Sequence, residues 1–364
     1  MKIERIKLHR VRVPLHEPFR ISNGVVDAKE AVVIEVRGGG LTGYGEASPM
    51  AGSFYSPETP ESTWRALARE LVPALLGSGA HALEDQVLIV DGHGGEPFAR
   101  AGLENALWDL EARRQGAPLW RLLGGDGRPV PSGLAVGLYD TVEELLDRVR
   151  RFLPDGYRRV KIKITRGWDL APLEAMRGAF PRLPPMVDAN AAYGPDDLEL
   201  IRELDRFSLL MIEQPFAREA LELSAEAQRG LRTPICADES AESLPALERI
   251  IELGSARIIN IKVQRVGGLA AARAMHHAAA TAGLPCWVGT MPELGIASAH
   301  GLHLATLPNF TYPSDIEASA RWYPDEIVRP AIQLSPDGCI ALPSGPGIGY
   351  TPDFARFAVE TVVF

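Results

Sequence analysis

The chain has 364 residues, 46% of them hydrophobic, and a net charge of −9 from 38 basic and 47 acidic side chains. This length exceeds that of an average domain and allows a large buried core, so we expect two domains. The basic residues form no Lys/Arg-rich block and no 18 apolar residues follow one another, so neither a nucleic-acid partner nor a membrane partner is expected.

The N-terminus and the cysteines favour a cytoplasmic protein. The first residues, Met1-Lys2-Ile3-Glu4, include an acid and begin no long apolar run, so no signal peptide is evident. Cys236, Cys286 and Cys339 are widely separated and form no metal-type pair. They are therefore interpreted as buried, reduced thiols.

Residues 1–125 are predicted to form an α+β domain that caps the rest of the chain. Alternating β-branched residues and apolar periodicity predict strands at 3–14, 31–37 and 42–47 and helices at 61–76 and 100–114. Two loops, at 18–24 and 50–57, carry Arg20 and Tyr55. Such loops can close over a ligand, and local packing of their aromatic side chains is the alternative.

Short apolar strands alternate with amphipathic helices over residues 126–320. Strands buried on both faces and separated by helices are typical of a parallel sheet, and seven or eight such units close most naturally into a barrel. We therefore predict an α/β fold, a modified (β/α)7β TIM-type barrel. An open doubly wound sheet is the alternative, but no Gly-x-Gly-x-x-Gly turn follows the first strand. Residues 321–364 are expected to return to the capping domain.

Charged residues lie at the ends of successive predicted barrel strands. From Lys163 the steps to Asp188, Glu213, Asp238 and Lys262 are 25, 25, 25 and 24 residues, about one strand plus its returning helix. The last residue of a barrel strand faces the C-terminal rim, where active sites of this fold are built. Strands two and six lie across the barrel from each other, so the two lysines would face one another with the three acids on the arc between them.

Asp188, Glu213 and Asp238 would repel one another unless a cation lies between them. An all-oxygen set of ligands suits Mg²⁺, for which Mn²⁺ or another divalent ion can substitute. Taken singly, each acid is more often a helix cap or a surface charge. The equal spacing favours the metal site.

Lys161 and Lys163 are two residues apart on one strand and therefore point to the same side. Their like charge favours the neutral amine, which lowers the pKa of a lysine and suits it to act as a general base. The alternative is two solvated lysines on an edge strand, which the apolar neighbours Val160, Ile162 and Ile164 disfavour. A metal flanked by amine bases suits removal of a proton α to a carboxylate through an enediolate.

The motifs resemble those of the enolase superfamily, whose known sites use this chemistry, and within it the muconate-lactonizing-enzyme subgroup. The motifs are Lys161-Ile162-Lys163, Val187-Asp188-Ala189-Asn190, Ile212-Glu213-Gln214-Pro215, Ala237-Asp238-Glu239-Ser240 and Asn260-Ile261-Lys262. The resemblance implies that Lys163 and Lys262 are the acid/base pair, with Lys161 tuning Lys163. It also implies that the three acids bind Mg²⁺, supported by the neighbouring Asn190 and Glu239.

Other segments resemble the o-succinylbenzoate synthase and N-acylamino acid (N-succinylamino acid) racemase branch of that subgroup. They include Met50-Ala51-Gly52 with Tyr55, Gly167-Trp168-Asp169 and Arg265-Val266-Gly267-Gly268. The resemblance implies a small-molecule carboxylate substrate, a homo-oligomer, and either dehydration in menaquinone biosynthesis or racemisation. The expected substrate contacts are Arg20, Tyr55, Arg265, Thr290 and Met291.

Two departures from the branch leave the substrate open. Thr290 stands where the family more often has glycine, and Ala135 replaces a polar residue common at the end of the first barrel strand. Asp315-Ile316-Glu317 is an imperfect match to the Asp-x-Asp pair of dipeptide epimerases. No His/Asp dyad replaces Lys262, which argues against the mandelate racemase subgroup.

Three functions therefore stay open. The first is an o-succinylbenzoate synthase, with or without N-succinylamino acid racemase activity. The second is a dedicated N-acylamino acid racemase or, less favoured, another cycloisomerase or epimerase of the subgroup. The third is a non-catalytic barrel with a structural Mg²⁺ site. Both enzymes need the same lysines and acids, and Arg265, beside Lys262, slightly favours racemase competence.

Overall fold

The N-terminal part is an antiparallel sheet packed against helices. The computed structural model describes residues 1–21, 24–50 and 56–364. The first strands are β1 (Arg5–Ile21), β2 (Gly24–Gly38) and β3 (Leu41–Ala47). The helices that follow are α1 (Pro60–Ala66), α2 (Val72–Gly77), α3 (Leu83–Gly92), α4 (Pro97–Arg114) and α5 (Leu119–Leu123), with a π-helical turn at Leu67–Leu71.

The hairpin of β1 and β2 is longer than the sequence pattern predicts. Phe19 pairs with Val26, and Arg20 pairs with Val25, after an irregularity in the register that follows Pro14. An irregularity of this kind bends the two strands, and their pairing continues beyond it. The segment predicted as a loop at 18–24 is therefore largely part of the two strands.

A seven-stranded parallel sheet forms the second part of the fold. After the short β4 (Val130–Pro131), its strands are β5 (Leu134–Val136), β6 (Val160–Lys163), β7 (Pro185–Asp188), β8 (Ile212–Glu213), β9 (Ile235–Ala237), β10 (Ile258–Ile261) and β11 (Cys286–Val288). The α-helices around it are α6 (Val142–Phe152), α7 (Leu170–Ala179), α8 (Leu198–Glu203), α9 (Leu221–Gly230), α10 (Leu244–Leu253), α11 (Val263–Val266), α12 (Leu269–Thr281) and α13 (Gly295–Leu304). None of the helices in the described part of the chain is long and apolar enough to cross a bilayer.

Residues 309–315 occupy the eighth position of the barrel, between β11 and β5. The Cys286 nitrogen donates to the Asn309 oxygen at 2.9 Å, and on the other side the Gly133 nitrogen donates to the Ser314 oxygen at 2.8 Å. The strands follow chain order without the reversal that an open doubly wound sheet requires. The predicted barrel fold is therefore confirmed.

The C-terminal segment returns to the N-terminal sheet. It contains α14 (Ser319–Trp322), β12 (Val328–Arg329), β13 (Cys339–Ile340), β14 (Thr351–Pro352) and β15 (Ala358–Val363). β13 pairs with β4, and β15 pairs antiparallel with β1. The exact domain boundaries, at residues 125 and 320, stay a prediction.

Two glycines let β3 approach α4 closely. A Cβ at Gly45 would overlap the backbone oxygen of Gly102 and lie 2.8 Å from the Ala106 nitrogen. A Cβ at Gly43 would lie 2.5 Å from the Leu110 nitrogen. Because these neighbours are backbone atoms, they cannot turn away as a side chain can. The seating of α4 on the sheet therefore depends on both glycines.

Gly45→Ala is expected to lower the free energy of unfolding by roughly 1–3 kcal/mol, the usual cost of overpacking a core. Gly92→Ala, at the end of α3, is the matched control, because no described atom lies within 4 Å of an added Cβ there. Urea and thermal unfolding of both variants measure the difference. Equal stabilities would contradict the close approach.

Candidate active site

Seven of the predicted site residues line one pocket at the C-terminal ends of the barrel strands. Together with the open space at its mouth, the pocket has a volume of about 520 Å³. The seven residues are Lys161, Lys163, Asp188, Asn190, Lys262, Thr290 and Met291. Met50, Ala135, Asp315 and Trp322 are also part of its lining. The pocket therefore lies between the barrel rim and the end of the N-terminal sheet.

Strand register explains why these side chains meet. Lys163 pairs with Asp188 across β6 and β7, and Asp188 pairs with Glu213 across β7 and β8. On β6, alternate residues point to opposite faces, so Lys161 and Lys163 share the interior face while Ile162 faces the helices. All of these residues are buried.

The two lysines proposed as acid and base each contact a carboxylate. Lys163 Nζ donates to Asp188 Oδ2 at 2.6 Å and to Asn190 Oδ1 at 2.7 Å. Lys262 Nζ donates to Asp238 Oδ2 at 2.9 Å. The two amines are thus held at the pocket by carboxylates at the ends of the neighbouring strands, Asp188 of β7 and Asp238 directly after β9.

Lys161 has a set of partners that its spacing from Lys163 does not reveal. Its Nζ donates to Asp315 and lies 3.3 Å from Glu213 Oε2 and 3.6 Å from Asp188 Oδ2. Burial opposes the charge, but the carboxylates of Asp315, Glu213 and Asp188 outweigh it and raise the pKa of Lys161. Like charge between the lysines is therefore not the main influence on Lys161.

Asp315 is the main residue of the site to which no role was assigned from sequence. It lies at the barrel's eighth position, where it accepts hydrogen bonds from Lys161 and from the fully buried Arg159. These two cations lower its pKa to about 2 although burial opposes ionisation. The Asp315-Ile316-Glu317 motif was a signal for it, but only as an imperfect match to the Asp-x-Asp pair of dipeptide epimerases and not as a partner of Lys161.

The three acids expected to bind a metal, Asp188, Glu213 and Asp238, differ in what they contact. Glu213 Oε2 is buried and accepts no hydrogen bond from any described residue. Burial and the charge of Asp188 raise the pKa of Glu213. The described residues contain no complete group of three His, Cys, Asp or Glu side chains placed to hold a metal. Asp188 and Asp238 instead contact lysines, whose ammonium groups supply the positive charge.

Neighbouring polar residues orient the acids. Asn190 Nδ2 donates to Glu239 Oε1 at 3.0 Å, and Asn260 Nδ2 donates to Glu213 Oε1 at 2.7 Å. Arg265 donates to Asp238 and, at 3.0 Å, to the backbone oxygen of Asn260. Arg265 therefore contacts a proposed metal ligand, whereas a substrate contact was expected.

Two predicted substrate contacts, the side chain of Arg20 and the residue Tyr55, lie outside the described part of the chain. Thr290 and Met291 are described and line the pocket. Thr290 Oγ1 donates to the backbone oxygen of Asp315 at 3.3 Å. The Thr290 hydroxyl thus links the loop after β11 to the eighth position of the barrel.

Comparison with known families and proteins agrees with this geometry. Residues 3–124 match the family described as mandelate racemase/muconate lactonizing enzyme, N-terminal domain, and residues 144–356 match the family described as enolase C-terminal domain-like. An o-succinylbenzoate synthase of Geobacillus stearothermophilus is 40% identical over 354 residues, covering 97% of this chain and 94% of the relative. An N-succinylamino acid racemase of Amycolatopsis is 39% identical, covering 97% of this chain and 95% of the relative.

A solved structure supports the same assignment. The crystal structure of an enolase superfamily member from Listeria innocua is 34% identical and superimposes with a TM-score of 0.94, covering 100% of this chain and 99% of that chain. The predicted family is confirmed by these matches, as is the expectation of an enzyme of the lyase and racemase type. The chain belongs to the enolase superfamily, with the two domains of the mandelate racemase/muconate lactonizing enzyme type.

Proposed function

We propose that the protein removes a proton α to a carboxylate in a metal-dependent reaction, and that the reaction is the dehydration that forms o-succinylbenzoate. The observation that carries the proposal is the pair of buried lysines at one pocket, Lys163 on β6 and Lys262 directly after β10. Relatives named o-succinylbenzoate synthase, 39% and 40% identical over 97% of the chain, support this reaction. A role in menaquinone biosynthesis and a cytoplasmic location are part of the same proposal.

Lys163 is the proposed base. Asp188 and Asn190 hold its Nζ at the pocket, and as the neutral amine it can receive the α-proton through its lone pair. Lys163 then returns that proton to the departing hydroxyl on the same face, while the C–O electron pair leaves with the oxygen as water. Lys262, as the ammonium, stabilises the negative charge of the enediolate.

Asp188, Glu213 and Asp238 are the proposed ligands of Mg²⁺, or of Mn²⁺ or another divalent ion. The bound ion supplies electrostatic stabilisation for the substrate carboxylate. Asn190 and Glu239 orient their neighbours in this set through their mutual hydrogen bond. Oriented partners of this kind commonly tune the affinity of metal ligands.

N-succinylamino acid racemisation is the second candidate. Relatives with that name from Thermus thermophilus and Amycolatopsis are each 39% identical to this chain. In this reaction Lys163 and Lys262 would exchange protons with opposite faces of the α-carbon. Arg265, which shares Asp238 with Lys262, would help to place the second base.

Substrate contacts and assembly are also part of the proposal. Thr290 and Met291 are proposed to contact the substrate because they line the pocket. Arg20, Tyr55 and Arg265 stay proposed contacts from the family resemblance. The partners are a small-molecule carboxylate and further copies of the chain in a homo-oligomer.

Lys163→Ala is expected to lower kcat for dehydration by at least about 100-fold, since it removes the proposed general base. Lys262→Ala is expected to abolish racemisation and to slow dehydration. The assay compares the cyclohexadiene precursor of o-succinylbenzoate with a panel of N-succinyl and N-acetyl amino acids, and α-deuterium exchange is followed in D₂O.

Lys7→Ala is the control for both lysine variants, because Lys7 lies on the N-terminal sheet in a partly exposed pair with Glu35. It is expected to behave as the wild type. If the wild type turns over neither class of substrate and exchanges no α-proton, the enzymatic function is wrong and the hypothesis of a non-catalytic Mg²⁺-binding barrel takes its place.

Glu213→Gln is expected to weaken Mg²⁺ binding by at least about tenfold, because it removes a charged oxygen ligand. Titration calorimetry after dialysis against a chelator measures the affinity, and added Mg²⁺ should restore the activity that the chelator removes. Glu248→Gln is the control, since Glu248 is exposed on α10. Full activity in excess chelator would exclude the proposed metal ligands.

A further inference from the structure

A lysine that belongs to neither the proposed acid/base pair nor the proposed metal ligands connects the N-terminal sheet to the barrel. Lys29 lies on β2 of the N-terminal sheet and is only 2% exposed. Its Nζ donates to the backbone oxygens of Ser48 at 2.8 Å, Pro49 at 3.1 Å and Met291 at 3.1 Å. An ammonium has three N–H donors, so these three oxygens account for all of them.

The three oxygens belong to two different loops at the pocket. Ser48 and Pro49 follow β3 and lead to Met50, which lines the pocket. Met291 follows β11 and lines the same pocket, between Thr290 and Pro292. Lys29 thus sets the distance between a wall built by the N-terminal sheet and a wall built by the barrel.

Burial and two nearby carboxylates act in opposite directions on the charge of Lys29. Burial lowers the pKa of Lys29 to about 8, while the carboxylates of Glu46 and Glu293 act in the opposite direction. Glu46 also accepts hydrogen bonds from the nitrogens of Leu294 and Ala297, each at 2.9 Å. The first residues of α13 are therefore held by Glu46. The part of this loop whose position depends on Lys29 is the backbone at Met291.

We propose that Lys29 is a positioning residue that sets substrate preference, by tying the backbone beside Met50 to the backbone of Met291 across the pocket. The inference rests on the proposed function, because it concerns which acyl amino acid or related carboxylate fits between these walls. The three hydrogen bonds of Lys29 go to backbone oxygens of the pocket walls, whereas Lys163 and Lys262 donate to Asp188, Asn190 and Asp238.

The test uses Lys29→Met, which removes the charge at similar length, and Lys29→Gln, which keeps two shorter donors. Lys7→Met is the matched control on the neighbouring strand. Each folded variant is assayed with N-succinyl amino acids that carry small and aromatic side chains. We expect Lys29→Met to change the ratio of their kcat/KM values by about tenfold, mainly through KM, and Lys29→Gln to change it less.

A purely structural role gives a different result. If Lys29 only stabilises the fold, its replacement lowers kcat in proportion to the folded fraction and leaves KM and the substrate ratio unchanged. That outcome in Lys29→Met, or in Lys29→Gln where Lys29→Met does not fold, overturns the inference.

A second readout separates this inference from the proposed function. Hydrogen–deuterium exchange is followed in peptides that cover residues 46–50 and 289–294, with the β6 peptide as internal reference. Lys29→Met is expected to speed exchange in both peptides by about tenfold and Lys7→Met in neither. If exchange is unchanged in Lys29→Met, the inference that Lys29 holds the two loops together is wrong, even if the wild type proves inactive. If exchange is faster but the wild type is inactive, the proposed function is wrong and the link between the two loops stands.

Discussion

The compensation of buried charge is the constraint on which the rest of the site depends. Lys161, Lys163 and Lys262 are each at most 7% exposed, and an unpaired charge at such a depth is strongly destabilising. Each ammonium therefore contacts a carboxylate carried by another strand or by the eighth position of the barrel. The same contacts that make the charges tolerable hold the amines at the pocket. Stability and chemical positioning thus rest on one set of ion pairs.

The barrel and the N-terminal sheet contribute different properties to the pocket. The barrel supplies the charged groups from strand ends, whose positions are set by a parallel hydrogen-bond ladder. The N-terminal sheet supplies Met50 through a loop, and Lys29 and Glu46 connect that sheet to the backbone after β11. Loops on a rigid scaffold can change without disturbing the scaffold. This division is consistent with the different names of relatives that match this chain over nearly its whole length.

The strand-end residues were predictable because their positions depend on a local repeat. Each strand and its helix use about the same number of residues, so Asp188, Glu213 and Asp238 reach the same rim wherever the helices pack. Asp315 was different, since residues 309–315 lack the length and pattern of a regular strand. Their place beside Lys161 arises only when both edges of the sheet bond to them.

The sequence by itself determined the fold class, the order of the strands and the rim residues, because hydrophobic periodicity and spacing are properties of short stretches of chain. Only the tertiary structure decided the partners of those residues. Lys161 is paired with Asp315, Arg265 is placed on Asp238, and Lys29 joins two loops more than 200 residues apart. These contacts depend on how the barrel closes and on how the N-terminal sheet seats upon it, and packing over such separations leaves no periodic trace in the sequence.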